Sequence, residues 1–100
     1  MFLLVSLFNK VKLSAYKEVD CRKVGESYLA YSNLNSETIS LSYFAYCMLL
    51  SLISREMNMS DLMSSQAQYA KELNSDELLQ VLEKTINELV IHGFIYKLPN

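Results

Sequence analysis

A chain of 100 residues with two glycines, one proline, 51% hydrophobic and 20% charged residues has the makeup of one packed domain, and excludes a disordered, collagen-like or low-complexity segment. Its formal net charge of −2 leaves no overall cationic surplus to neutralise phosphates. The charge is uneven: residues 1–23 hold Lys10, Lys12, Lys17, Arg22 and Lys23 against Glu18 and Asp20, so any basic surface belongs to the N-terminal end.

The opening MFLLVSLF is apolar but is broken by Asn9 and Lys10. It falls far short of the roughly 20 residues that span a bilayer and has no basic start for a signal peptide. We read it as a buried strand or docking segment, with no membrane partner. VKLSAYK at 11–17 alternates Val11, Leu13 and Ala15 with polar positions and predicts a half-buried strand. Residues 18–25 are charged and end in Gly25, which reads as a loop. SYLAY at 27–31 predicts a second strand, the Asn- and Ser-rich SNLNSE a turn, and TISL at 38–41 a third strand. Residues 1–41 thus read as an antiparallel meander of about three strands.

At Ser42 the period changes. Phe44, Ala45, Met48, Leu49, Leu52 and Ile53 recur at helical spacing, Ser40 or Ser42 is available as N-cap, and Tyr46, Cys47 and Leu50 make the helix apolar nearly all round, as expected of one buried from several directions. Ser60 is placed to cap a more polar helix through about Leu73, with Leu62, Met63, Ala67, Ala70 and Leu73 as its stripe. Met48, Met57, Met59 and Met63 read as core filler, an adaptable binding surface being the alternative. A third helix starts at Asn74 or Ser75, with Asn74 and Glu77 spaced as a capping box and Leu78, Leu79, Leu82, Ile86, Leu89 and Val90 as its apolar stripe. Gly93 stands where a left-handed residue ends a helix, and FIYKL has strand chemistry. The expected fold is α+β and winged-helix-like: a single domain with strand-rich residues 1–41, three helices over 42–93 and a short extension at 94–100.

The chemistry points away from catalysis. No nucleophile, base and orienting acid stand together, so no catalytic residue is assigned. The lone His92, beside Gly93, reads as a cap or surface residue. Two glycines cannot build a phosphate loop, and no cofactor is implied. Cys21 and Cys47 lack metal-site spacing, so no metal is expected. They read as two unpaired thiols in a reducing, cytoplasmic setting, with a disulfide as the alternative. Glu83 and Glu88 are expected to face solvent.

A DNA-reading helix should offer bases or amides in its first turns. SDELLQVLEK offers two carboxylates there, with only Gln80 and Lys84 suited to the task, which argues against a nucleic-acid partner. A winged-helix regulator or replication-associated domain remains the alternative, carried by the basic N-terminal end. An apolar N-terminus and seven tyrosines are compatible with a homodimer.

ESYLAYSNLNSETISLSYFAYCMLLSLI, a hairpin running straight into a helix, and SDELLQVLEKTINELVIHGFIYK, a helix ending in Leu-x-x-x-Gly and then apolar residues, resemble the PqqD-like family, also called RiPP recognition elements. The likeness spans roughly residues 11–97. It departs from the family where a Leu-Asn pair commonly precedes the first helix, since Leu41 and Ser42 stand there. The resemblance implies a non-enzymatic module that binds the leader of a ribosomally made precursor peptide and presents it to a modifying enzyme or protease. It further implies strand addition along Glu37, Thr38, Ile39, Ser40 and Leu41, with Val81, Lys84, Thr85 and Glu88 of the last helix forming the other wall.

Overall fold

The computed structural model describes residues 11–66 and 73–99; MFLLVSLF and the expected helix positions Ala67 and Ala70 lie outside the described residues. The elements in chain order are β1 (Val11–Ala15), β2 (Val19–Val24), β3 (Ser27–Ser32), β4 (Glu37–Leu41), α1 (Tyr43–Ser54), β5 (Met57–Asn58), α2 (Met59–Gln66), α3 (Ser75–Ile91) and β6 (Ile95–Pro99). The architecture is α+β: an N-terminal antiparallel sheet of order β2-β3-β4, three helices, and a second antiparallel sheet of order β5-β1-β6.

Two expectations for the N-terminal part are corrected. Residues 19–24 are a strand and not a loop, because Val19 and Cys21 point into the core while Asp20 and Arg22 point out. The charges occupy the solvent face, where Arg22 Nη2 donates to the Tyr31 hydroxyl at 3.1 Å and that hydroxyl donates to Asp20 Oδ2 at 3.1 Å. Charge density had masked a period of two. Gly25, at φ 62°, takes the first central position of the two-residue turn between the paired Val24 and Ser27, where a positive φ is required. Second, the strand at 11–15 is no part of the meander. The chain turns between Tyr16 and Val19, whose N–H bonds the Tyr16 carbonyl at 3.1 Å, and β1 is left to pair with β5 and β6.

The β3–β4 turn is built by its own side chains. Asn35 Oδ1 accepts the Glu37 N–H at 3.1 Å and Ser32 Oγ accepts the Leu34 N–H at 3.2 Å, the local bonding for which Asn and Ser are favoured. Ser36 carries the left-handed φ of 58°.

Ser42, and not Ser40, caps α1, accepting the Ala45 N–H at 3.1 Å. Ala45, Cys47, Met48, Leu49 and Leu52 are buried, while Leu50 and Ile53 keep 38% and 39% exposure, so the helix is enclosed on most sides but not on all. After Arg55 the chain makes the two-residue β5, too short to leave a periodic trace. Asn58 then caps α2, its Oδ1 accepting the Asp61 N–H at 2.8 Å, which puts the expected cap Ser60 inside the first turn. Met48, Met57 and Met59 are core residues and Met63 packs against them, in keeping with a filler role.

The expected capping box at the start of α3 is present: Asn74 Oδ1 accepts the Glu77 N–H at 2.9 Å, and Glu77 Oε1 accepts the Asn74 N–H at 3.3 Å. Such a cap contributes about 1 kcal/mol. Leu78, Leu79, Leu82, Ile86 and Leu89 form the buried stripe; Glu83, expected in solvent, is half-buried. The helix ends in a Schellman motif, with Gly93 at φ 78°, its N–H on the Val90 carbonyl at 3.0 Å and the Phe94 N–H on the Leu89 carbonyl at 2.9 Å. Phe94 and Leu89, the apolar pair that accompanies this motif, are both buried. β6 then runs antiparallel to β1. No helix among the described residues is long and apolar enough to cross a membrane.

Candidate functional site

β4 leaves one side of its ladder unpaired among the described residues, since the sheet order ends on it. Alternate residues of such a strand aim N–H and C=O groups outward. β4 runs directly into α1 through Ser42, and α3 lies across from it. Residues 81, 85, 88 and 92 are spaced by four, three and four positions, so they share one helix face. Between this face and β4 lies a cleft of about 220 Å³ lined by Ile39, Ser40, Leu41, Ser42, Ala45, Thr85, Glu88, Leu89 and His92.

The residues expected from the resemblance divide accordingly. Ile39, Ser40, Leu41, Thr85 and Glu88 are brought together on the two walls. Glu37 stands at the end of the cleft, where its carboxylate contacts His92 Nδ1. Thr38 is exposed, and Val81 and Lys84 are exposed on α3 outside the lining. Ser42, Ala45, Leu89 and His92 were not anticipated. His92 follows Glu88 by one helical turn, so its place on this face was readable from spacing alone; Ala45 required knowing how α1 leaves the sheet.

The cleft has an apolar floor of Leu41, Ala45 and Leu89 and a polar rim. Thr85 Oγ1 donates to the Val81 carbonyl at 2.8 Å. At one end the turn and the helix are clamped: Asn35 Nδ2 donates to the His92 carbonyl at 3.1 Å, beside the Glu37–His92 contact. Gly93 makes this approach possible, because a Cβ there would lie 3.1 Å from Asn35 Nδ2. Gly93→Ala is therefore expected to cost about 1–3 kcal/mol, from left-handed strain and crowding together. Urea unfolding checks this against Gly25→Ala, whose Cβ would meet nothing within 4 Å and which should cost less. A smaller loss at Gly93 would mean that the clamp does not hold the turn.

Neither thiol belongs to the cleft. Cys21 and Cys47 are free and buried. Burial, then the charges of Asp20 and Cys47, push the Cys21 thiol from 9.0 up to about 11, which keeps it protonated at neutral pH and unsuited to nucleophilic work. Among the described residues no group of three or more His, Cys, Asp or Glu side chains is placed to hold a metal ion.

Comparison of the chain with protein-family models, with curated proteins and with solved structures finds no match.

Proposed function

We propose that this chain is a non-enzymatic peptide-binding module that takes up an extended segment along the outer edge of β4, the segment being the leader of a ribosomally made precursor held for a modifying enzyme or protease. The observation that carries this reading is the pairing of a strand edge that is open among the described residues with a cleft walled by α3. An edge supplies backbone bonds to any extended chain, and a cleft beside it selects side chains. A volume of about 220 Å³ falls below the roughly 300 Å³ at which small-molecule pockets begin. It suits one or two anchoring side chains better than a cofactor. The order of hairpin, three helices and closing strand supports the likeness to PqqD-like domains, and two free buried thiols accord with a cytoplasmic setting.

A winged-helix DNA-binding role is the second reading, favoured by the short β5 between α1 and α2 and the strand after α3. Against it stand Asp76 and Glu77 in the first turn of α3, where a duplex would be most repulsive.

Titration of the isotope-labelled chain with leader peptides of precursors encoded beside its gene separates the two. Amide shifts should gather at residues 37–41 and along 81–92. Shifts elsewhere only, or none, together with duplex binding that falls steeply with added salt, would overturn the peptide reading.

A further inference from the structure

Resting on the strand-addition reading above, we infer that the bound segment carries a lysine or arginine seated against Glu88, two positions from an aliphatic side chain seated on Leu41, Ala45 and Leu89. Glu88 is in the last turn of α3, at the negative end of the helix dipole, and that turn contains no lysine or arginine. A carboxylate is unfavourable there and a cation favourable. Glu88 is exposed and lines the cleft, and its carboxylate has no ion pair or hydrogen bond among the described residues, its backbone carbonyl alone accepting the His92 N–H at 3.0 Å. Lys84, one turn earlier, precedes it in the weaker orientation for a helical pair and makes no ion pair with it. The nearby carboxylate of Glu37 is already engaged by His92. The cleft therefore holds one unspent negative charge at the helix end that already repels it, and a cation from the ligand is what would complete the site.

The two side chains are placed by strand geometry. Residues i and i+2 of an extended segment face the same way about 6.6 Å apart. One can drop onto the apolar floor while the other reaches Glu88, laying its methylene stem along Leu89.

The test is a random dodecapeptide display library selected on the immobilised full chain, in parallel with Glu88→Lys and Glu88→Gln, both exposed substitutions whose folding is checked by their amide spectra. Wild-type binders should be enriched in a base two positions from an aliphatic residue. In the tightest of them, exchanging that base for glutamate should weaken binding about tenfold at low salt, with the order reversed on Glu88→Lys and flattened on Glu88→Gln. If the exchange leaves the dissociation constant within about twofold while the peptide still shifts amides of residues 37–41 and 81–92, the charge preference is overturned and the strand-addition reading stands. If selected peptides shift none of those amides, the strand-addition reading falls and this inference falls with it.

Discussion

Phe94→Ala should lower the unfolding free energy by about 3–5 kcal/mol, a large part of the roughly 5–15 kcal/mol that holds a small domain together. Phe94 is fully buried and takes part in three connections. Its ring packs in the core with Leu89 as the apolar pair of the Schellman motif, its N–H closes the end of α3 on the Leu89 carbonyl, and its carbonyl accepts the Tyr16 N–H at 3.2 Å. The last bond ties the exit of α3 to the end of β1. Truncation leaves an aromatic-sized void that helix and sheet can close only by shifting that exit, and the shift would reach His92 two residues earlier. Urea unfolding measures the loss, with Ile91→Ala as the internal comparison. Ile91 is 80% exposed, so its loss should change stability by no more than about 0.5 kcal/mol. A cost below about 1 kcal/mol for Phe94→Ala would show that the exit of α3 is held by something else.

Helices were legible wherever side-chain chemistry repeats inside a few residues. Asn74 and Glu77 stand three apart and cap each other because that spacing brings each side chain to the other's backbone; no other part of the chain is needed to see it. Gly93 was legible for the same reason. The strand at 19–24 was missed because its outward face is charged, and Asp20 and Arg22 look like loop residues until Tyr31 is known to sit beside them. That knowledge is non-local: it comes from the register of β2 on β3. The partners of β1 were hidden for a related reason. Alternation in VKLSA marks a strand, but which strands flank it depends on the return of the chain after α1 and after α3, more than forty positions on. Asn58 displaced Ser60 as a cap because both precede apolar residues at acceptable spacing, and only the two residues of β5 decide between them.

The cleft divides along the same line. Glu37 to Leu41 were proposed because the resemblance to PqqD-like domains implies strand addition on that edge, and Thr85 and Glu88 because it implies a second wall from the last helix, taken at positions off its buried stripe. Which off-stripe residues face β4 is a question of helix rotation, and that was set by Leu82, Ile86 and Leu89 packing inward. Val81 shares the face of Thr85, Glu88 and His92 and falls outside the lining because it stands one turn nearer the start of α3; Lys84 falls outside it as well. His92 falls inside it, held by Glu37 and Asn35 from a turn more than fifty positions earlier. A residue that reads as a helix cap in sequence is also the post that fixes one end of the cleft.

Thr85→Arg is the substitution that should most damage ligand binding without damaging the fold. Thr85 is half-buried on the cleft wall, and its hydroxyl is spent on the carbonyl one turn back, a bond that does little for a helix. Arginine is the better helix former, so the unfolding free energy should stay within about 0.5 kcal/mol of the wild type. The long side chain, three residues before Glu88, enters the volume meant for the ligand's aliphatic anchor and offers Glu88 a tethered cation in place of the ligand's own. Losing the burial of one aliphatic side chain is worth about 2–3 kcal/mol, roughly 30- to 150-fold in affinity. Calorimetric titration with the tightest selected peptide measures the loss. Thr85→Ala trims the wall without filling the cleft and should hold affinity within about threefold of wild type, an energy difference of about 0.7 kcal/mol. Wild-type affinity in Thr85→Arg would place the ligand elsewhere on the molecule. An equal loss in Thr85→Ala would instead make the threonine a direct contact and leave the apolar floor without the role assigned to it.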